Sequence, residues 1–440
     1  MMTRLSTRRL MSGAATLSIA ALALTACAGT GGATTSEAAD TGSAEKIVFW
    51  SNHPGSSKDI EEEIIAEWNE ENPDTPVELV DAGANYEEVA QKFNAALAGG
   101  DLPDVVVASD VNWFNFALND NFAEMGPLWE SQDVESDDLV DTLRDDYEFN
   151  DEHWAMPYAR STNLMYVNDQ IFEEAGLPAE GFETWQDFAE AAPALKEVTG
   201  DDPVLVIPDG SNYLDWYFQG MIWTFGGAYS EDWTATFTQP ESIEAGEFLQ
   251  EMVQEGYIEI SNDAVNTFGV GSAGALLEST GSLGGLKETA AMDFTTAYLP
   301  GPTPGAATGG AGLAIPSGIS EERQANAVRF IDFLTNTDNT VKFSQATGYM
   351  PVRKSALEHP DEVAFLEENP NAMTAIEQLN ENTQPQDAAR VLVQGGGARI
   401  GGALDEITTG GADVTEVFTR LEEETQEIID RDIKPKLDQQ

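Results

Sequence analysis

Aromatic residues beside glycine, serine, asparagine or aspartate are the main candidates for ligand chemistry in this sequence. They stand outside the apolar runs and are Trp50, Tyr86, Trp113, Tyr158, Tyr213, Trp216 and Tyr349. Small-molecule pockets combine aromatic walls with a few polar groups, and in open α/β sheets they form at the carboxyl ends of strands. Each ring taken alone also suits a hydrophobic core, so the set as a whole is what predicts a binding cleft.

Arg399 is the basic residue that we select as a ligand-binding candidate. It lies in the glycine-flanked segment 394–402, which reads QGGGARIGG. Glycine lets backbone and ligand approach closely, and a guanidinium binds anionic groups through two parallel hydrogen bonds. We predict that Arg399 binds ligand from a glycine-rich loop. The alternative is a salt bridge to one of the many carboxylates.

Motifs for catalysis, nucleotides and metals give no positive signal. Residues 269–274 fit G-x-G-x-x-G, but the preceding segment 261–268 is polar instead of a buried strand, as a dinucleotide site requires. The three histidines, His53, His153 and His359, are far apart in the sequence. We predict no catalytic residue, no metal and no cofactor.

The charge balance excludes several classes of protein. The 440 residues include 78 acidic and 21 basic side chains, a formal net charge of -57, and one cysteine. Binding to nucleic acid needs clustered lysine and arginine, and adsorption to anionic lipid needs a basic surface. A single cysteine also excludes an internal disulfide and a cysteine-rich zinc site.

The N-terminal segment has the features of an export signal. Arg4, Arg8 and Arg9 precede an uncharged run over 10–26, which is shorter than the roughly 20 residues that span a bilayer. This pattern predicts a signal peptide over 1–26. Leu24 to Cys27 resembles the bacterial lipobox, so we expect lipid on Cys27; the alternative is a buried structural cysteine. Arg8-Arg9 also resembles a twin-arginine signal, which leaves two export routes open.

Beyond Cys27 the sequence predicts a tether and then an α/β fold. Residues 27–44 are rich in Gly, Ala, Thr and Ser and read as a flexible linker. Buried-strand patterns at 47–50, 77–80 and 104–108 alternate with helical patterns at 59–71 and 86–98, which implies a parallel sheet covered by helices. The alternation resumes with strands at 164–167 and 204–207. Further helices are predicted at 184–198, 216–225, 241–255, 322–334, 339–345 and 414–432.

Almost the whole mature chain resembles the extracellular solute-binding proteins of ABC importers, in their maltodextrin-binding-like branch. Within that branch it is most similar to members that bind glycerol-3-phosphate and glycerophosphodiesters. The segments that carry the resemblance are 47–50, 102–104, 156–158, 164–168, 184–185, 325–334 and 347–351.

The resemblance implies a two-lobed, periplasmic-binding-protein-like α/β fold with three hinge crossings and a cleft between the lobes. The crossings are expected near Tyr158, Leu299 and Thr335. Lobe 1 would comprise 45–158 and 299–335, and lobe 2 would comprise 159–298 and 336–440. The implied partners are a small-molecule ligand and the membrane permease subunits, with the protein a monomer anchored to the cell membrane.

The resemblance also implies a set of ligand-binding residues. Asp110 would accept hydrogen bonds from glycerol hydroxyls, and Tyr349 and Arg399 would hold the phosphate. Tyr213 and Trp216 would supply aromatic walls, with cation–π contact to a choline group where one is carried. The full set is Tyr86, Asp110, Ser161, Tyr213, Trp216, Ser279, Gly310, Tyr349 and Arg399. Arg160, beside Ser161, would either add a phosphate contact or narrow the pocket.

Three other functions stay open at this point. Stacking aromatics also suit sugar faces, so an oligosaccharide-binding protein is the main alternative. A secreted glycoside hydrolase would need two cleft carboxylates about 5–10 Å apart, and no pair stands out among the acids. A surface adhesion protein would show no small-molecule response.

Overall fold

The protein is described here by a computed structural model that covers residues 43–53, 56–301 and 305–437. The predicted signal peptide over 1–26, Cys27 and the tether up to residue 42 lie outside these described residues. Among the residues described, no helix has both the length and the apolar character needed to cross a bilayer.

Mixed α/β structure, as predicted, fills the described chain. Its strands are β1 Ile47–Ser51, β2 Val77–Asp81, β3 Val105–Ser109, β4 Glu148–Phe149, β5 Glu152–His153, β6 Met156–Asn168, β7 Leu205–Pro208, β8 Ser230–Glu231, β9 Thr234–Ala235, β10 Ile258–Ser261, β11 Ala275–Ser279, β12 Phe294–Ala297, β13 Ala306–Ala314 and β14 Thr383–Gln384.

Helices cover the strands and form most of the C-terminal part. They are α1 Ser56–Glu71, α2 Tyr86–Gly99, α3 Trp113–Ala117, α4 Met125–Ser131, α5 Asp141–Asp145, α6 Asp169–Ala175, α7 Trp185–Thr199, α8 Leu214–Thr224, α9 Pro240–Gln254, α10 Ala264–Gly269, α11 Leu283–Thr289, α12 Glu321–Leu334, α13 Thr337–Thr347, α14 Lys354–Leu357, α15 Pro360–Glu368, α16 Pro370–Glu381, α17 Ala388–Val391, α18 Gly396–Thr408, α19 Val414–Ile428 and α20 Lys434–Leu437. A π-helical turn over Ile429–Ile433 joins the last two.

One sheet runs through the molecule in the order β10-β7-β11-β6-β13-β3-β1-β2, with β12 added to β6 and β14 to β13. The pairs β1–β2, β1–β3 and β7–β10 are parallel. The long strands β6 and β13 are antiparallel to each other, and β13 also pairs antiparallel with β3. These two strands therefore connect a β1 side of the sheet (β1, β2 and β3) with a β7 side (β7, β10, β11 and β12).

Separate hydrophobic clusters support the two sides. On the β1 side, Phe49, Val105 and Phe330 pack together, and Phe343 of α13 joins them. On the β7 side, Trp185 and Phe218 pack with Phe418 of α19. Strand β6 serves both, since Met156 belongs to the first cluster and Met165 to the second. The residue limits of the two predicted lobes stay a prediction.

Local sequence explains where several elements begin. Asn85 accepts a hydrogen bond from the backbone N–H of Glu88 and caps α2. Thr184 and Asp187 form a reciprocal capping box at the start of α7, as the sequence predicts for Thr184. Such caps satisfy N–H groups that have no partner inside the helix.

Candidate functional site

A cavity of about 540 Å³ lies where the β1 side meets the β7 side. That volume is within the usual range of small-molecule sites. Its described lining is Ser57, Tyr86, Ser109, Asp110, Val111, Ser161, Tyr213, Trp216, Tyr217, Val265, Glu278, Ser279, Gly281, Ser282, Gly285, Leu286, Thr289, Gly309, Gly310, Tyr349, Gln386 and Arg390. Hydroxyls, aromatic rings, two carboxyl groups and one guanidinium therefore face a common space.

Eight of the nine predicted ligand-binding residues line this cavity. They are Tyr86, Asp110, Ser161, Tyr213, Trp216, Ser279, Gly310 and Tyr349. Several occupy the positions that open α/β sheets use for ligands. Asp110 directly follows β3, Ser279 ends β11, and Tyr86 opens the helix after β2.

Three of the aromatic candidates lie in the core instead. Trp50 and Trp113 belong to one buried cluster on the β1 side. Tyr158 is buried in the cluster around Phe49, and its hydroxyl donates to Glu61 at 3.0 Å. Their glycine and polar neighbours in the sequence did not distinguish them from the rings that line the cavity.

Arg399 does not line the cavity, and its segment is not a loop. Helix α18 begins at Gly396, so Arg399 lies in its first turn. Its Nε donates to Thr425 Oγ1 at 3.3 Å and one Nη donates to the carbonyl of Gln394 at 3.2 Å. Burial lowers the pKa of this guanidinium, and Glu424 partly offsets that. The prediction of a glycine-rich loop was wrong because the three glycines begin a helix that packs against Gly210.

Arg390 is the basic side chain that the described cavity wall contains. It lies in the short helix α17, and Asp387 caps that helix by accepting from the N–H of Ala389. The Nε of Arg390 donates to Asp215 Oδ2 at 2.5 Å, and Nη1 donates to Gln386 Oε1. Among the described residues, Nη2 of Arg390 has no hydrogen-bond partner. The guanidinium is thus held on one side and free to bind an anion on the other.

Asp110 is held from behind by a second arginine. Its Oδ1 accepts from Arg160 Nη1 at 2.5 Å and from Tyr147 at 2.9 Å. Gln386 donates to its Oδ2 at 2.5 Å, and Gln386 also accepts from Arg390. A continuous polar chain therefore joins Arg160 to Arg390 through Asp110 and Gln386.

Arg160 is fully buried beneath the cavity and is not part of its lining. Besides Asp110, it binds the carboxylate of Asp146. Burial opposes its charged form, but Asp110, Tyr147 and Asp146 together raise the pKa of Arg160 above the ordinary value. Burial raises the pKa of Asp146 to about 6, against the opposing effect of Arg160. Arg160 therefore orients Asp110 from below instead of contacting a ligand.

Two glycines of β13 allow the wall of the cavity to form. Trp216 donates from Nε1 to the carbonyl of Thr308 at 2.9 Å, and its ring lies on Gly309, where a Cβ would approach Cζ2 to 2.4 Å. Gly310 has φ of +110° and a Cβ there would meet the carbonyl of Ala159 at 2.0 Å. Glycine is therefore required at both positions.

The other carboxyl group in the wall, Glu278, is buried. It accepts from the hydroxyl of Tyr217 at 2.8 Å and from the N–H of Ser279 at 2.7 Å. Burial raises the pKa of Glu278, and these two hydrogen bonds partly offset the rise. Sequence reasoning did not select Glu278, Gln386 or Arg390, since each has a side-chain partner far away in the chain, namely Tyr217, Asp110 and Asp215.

Comparison with known proteins is consistent with this geometry. Residues 63–374 match the model of a family described as bacterial extracellular solute-binding protein. The chain belongs to this family.

A solved relative extends the comparison for this solute-binding protein. UgpB from Mycobacterium tuberculosis, in complex with glycerophosphocholine, is 46% identical with a TM-score of 0.85, and the match covers 88% of this chain and 99% of that one. The sn-glycerol-3-phosphate-binding periplasmic protein UgpB of Escherichia coli K12 is 25% identical over 76% of this chain and 80% of its own length. The similarity to UgpB agrees with the resemblance drawn from the sequence.

More distant structures share the fold alone. A cyclic α-maltosyl-1,6-maltose binding protein from Arthrobacter globiformis matches with a TM-score of 0.72 at 20% identity, over 87% of this chain and 98% of that one. Together with the M. tuberculosis structure, it confirms the predicted two-lobed α/β fold of the solute-binding proteins.

Proposed function

We propose that this solute-binding protein captures a glycerophosphodiester, such as glycerophosphocholine, or glycerol-3-phosphate, and delivers it to an ABC importer. The observation that carries the proposal is Arg390, whose Nη2 has no hydrogen-bond partner in the described part of the chain and which lines the same cavity as the hydroxyls of Ser161, Ser279, Tyr86 and Tyr349. The 46% identity to a protein that was solved with glycerophosphocholine supports the same ligand class.

The phosphate is assigned to Arg390 because of charge and geometry. Charge-assisted hydrogen bonds from arginine to phosphate are about twice as strong as neutral ones. Arg390 is also the basic group that the described lining contains. The overall charge of -57 does not prevent anion binding, since distant surface carboxylates are screened over about 8 Å at physiological salt. The charge that decides anion binding is therefore the positive group inside the cavity.

The rest of the ligand is assigned by the same reasoning. A carboxylate only accepts hydrogen bonds, so the fixed carboxylate of Asp110 suits glycerol hydroxyls, which donate. Trp216 and Tyr213 offer ring faces to a quaternary ammonium group, a contact of about 0.5–2 kcal/mol. The volume of about 540 Å³ leaves room for a head group beyond the phosphate.

Binding without catalysis completes the proposal. A ligand that contacts both sides of the cavity stabilises the closed arrangement, and the permease responds to that arrangement. The protein acts as a monomer, without a metal or cofactor.

Lipid on Cys27 anchors the protein to the membrane, and Cys27→Ser is expected to move it from the membrane fraction to the medium. An unchanged membrane fraction in that variant would contradict the anchor.

Calorimetric titration separates the candidate functions. We expect saturable heat with glycerophosphocholine or glycerol-3-phosphate and none with maltose. Heat with maltose alone would favour the oligosaccharide-binding function. Release of sugar from glycosides would favour a hydrolase that uses Asp110 and Glu278, the two acids of the wall.

A further inference from the structure

A buried histidine and glutamate lie directly behind one residue of the cavity wall. Nε2 of His53 is 3.3 Å from the hydroxyl of Tyr86, and Nδ1 of His53 is 2.8 Å from Oε1 of Glu61. His53 is 5% exposed and Glu61 is 0% exposed. Of the three residues, only Tyr86 lines the cavity. The chain Glu61–His53–Tyr86 therefore leads from the core of the β1 side to the ligand site.

The side chain of Glu61 determines that Nδ1 of His53 carries a hydrogen. Oε1 of Glu61 accepts hydrogen bonds from Ser51 at 3.1 Å and from Tyr158 at 3.0 Å. That oxygen is an acceptor in both contacts, so Nδ1 of His53 donates to it. The orientation of the ring is thereby set, and Nε2 points at Tyr86.

The state of Nε2 then decides the role of the Tyr86 hydroxyl. Burial raises the pKa of Tyr86 well above its ordinary value, so the phenol keeps its single hydrogen. When His53 is neutral, Nε2 accepts that hydrogen, and Tyr86 presents only lone pairs to the cavity. When His53 is protonated, Nε2 donates, and the hydrogen of Tyr86 turns away from His53, where Tyr349 or a ligand oxygen can accept it.

We propose that His53, held by Glu61, is a positioning residue that sets whether Tyr86 donates to or accepts from the bound ligand. The proposal rests on the proposed function, because it takes the ligand to be a phosphate ester. A phosphate oxygen needs a donor, so anionic ligands select the state in which His53 is protonated. Binding then takes up a proton, and affinity for a phosphate ester rises as pH falls.

Among the described residues, Ser51 Oγ lies 3.3 Å from Nδ1 of His53, and the titratable groups that face the ring come from four other elements. Glu61 faces it from α1, Tyr86 from α2, Tyr158 from β6, and Tyr349 follows α13 with its ring centroid 5.9 Å from that of His53. On its open side, His53 and Asp81 line a shallow pocket, and Lys58 lies 3.9 Å from Asp81. The three tyrosines stay neutral, since burial raises the pKa of each.

Two variants of His53 remove the ring that takes up the proton. In His53→Gln the side-chain amide reaches the position of Nε2, where it can donate or accept but cannot take up a proton. In His53→Asn the shorter amide reaches Glu61 but not Tyr86. The matched control is the variant His359→Gln, because His359 caps α15 elsewhere on the protein.

The measurement is the Kd for glycerophosphocholine between pH 5.5 and 8, by calorimetry in buffers of different ionisation enthalpy. The wild type and His359→Gln are expected to bind about fivefold more tightly at the low pH and to take up a proton. Both His53→Gln and His53→Asn should bind with a Kd that does not change between pH 5.5 and 8, and without proton uptake. A wild-type pH profile retained in both variants would overturn the proposal.

A ligand-free readout keeps this test separate from the proposed function. In ¹⁵N-histidine spectra of the free protein at pH 8, Nδ1 of His53 should carry the hydrogen, and Tyr86→Phe should shift the Nε2 resonance. Hydrogen on Nε2 at pH 8 would refute the relay even if the ligand binds. Absence of glycerophosphocholine binding by the wild type, with the expected spectra, would instead refute only the ligand assignment.

Discussion

The hydroxyl of Tyr213 donates a hydrogen bond to Oε2 of Glu87 at 3.1 Å, although the two residues are 126 positions apart. Tyr213 packs against the hydrophobic cluster of the β7 side, and Tyr86, the neighbour of Glu87, packs against that of the β1 side. Burial and then Glu87 raise the pKa of Tyr213 well above its ordinary value. The bond therefore joins the two sides of the molecule next to the cavity.

Tyr213→Phe is expected to weaken ligand binding without unfolding the protein. The hydroxyl contact stabilises the closed arrangement, and a hydrogen bond of this kind contributes about 1 kcal/mol, which is about fivefold in Kd. Calorimetry measures the affinity, and a fluorescence distance between labels on the two sides measures the opening. Glu87→Gln should behave similarly, whereas unchanged affinity in both variants would show that the bond has no part in closure.

Removal of the cavity arginine is expected to weaken binding of phosphate esters strongly. Arg390→Gln alone leaves Asp215, 1% exposed, without its cation, and breaking a buried pair costs about 3–5 kcal/mol. The double variant Arg390→Gln with Asp215→Asn keeps a neutral hydrogen-bonded pair and so preserves the fold. We expect its Kd for glycerophosphocholine to rise at least about 10- to 100-fold.

Arg399→Ala is the matched control for Arg390, since it removes an arginine that does not line the cavity. Its Kd is expected to stay within about twofold of the wild type. The assignment of Arg390 fails if Arg399→Ala loses binding while the double variant keeps it. Circular dichroism of both proteins checks the fold.

Much of the fold followed from local sequence. The predicted strand at 47–50 and helices at 86–98 and 184–198 agree with β1, α2 and α7 within about one residue, because caps and apolar periodicity are local signals. Strand β6 was recognised only at 164–167 but extends over Met156–Asn168. Its middle, residues 160–163, is polar yet fully buried, and side-chain partners there, such as Asp110 for Arg160 and Gln378 for Thr162, are distant in sequence.

The candidate site also contains residues that local sequence reveals and residues that depend on distant contacts. Residues beside strand ends, such as Asp110 and Ser279, were found because strand ends are readable from the chain. Arg390 was missed because its position depends on Asp215, 175 residues away, and no local pattern distinguishes it from Arg399. The glycine run at 395–397 was predicted to form a loop, but it begins helix α18, much of which is buried.

Gly309→Ala is expected to displace Trp216 and weaken binding. The new Cβ would lie 2.4 Å from Cζ2 of the indole, so the ring must move away from β13. Gly285→Ala is the matched control, because Gly285 also lines the cavity but a Cβ there meets nothing within 4 Å. Tryptophan fluorescence and calorimetry report the change. Equal effects of the two variants would contradict the packing of Trp216 on Gly309.

The stability of the fold should depend on pH through Asp146. Its pKa is about 6 in the folded state against an ordinary value of 3.8. The folded state therefore binds this proton more tightly than the unfolded state does. The resulting stabilisation is fully present below pH 3.8 and is lost as pH rises through about 6. It amounts to about 3 kcal/mol.

Urea unfolding of the wild type and Asp146→Asn at pH 4 and pH 7.5 measures this contribution. Asparagine does not titrate, so the variant should gain stability relative to the wild type as pH rises. Asp145→Asn, at an exposed position beside it, is the control and should follow the wild type. A pH-independent difference between wild type and Asp146→Asn would contradict the assigned titration.

The most direct test of the central claim is a crystal structure of the protein with glycerophosphocholine. We predict that the phosphate lies within hydrogen-bond distance of Nη2 of Arg390, with the glycerol hydroxyls on Asp110 and the choline group against Trp216 or Tyr213. A phosphate bound at Arg399, or a ligand outside this cavity, would contradict the account.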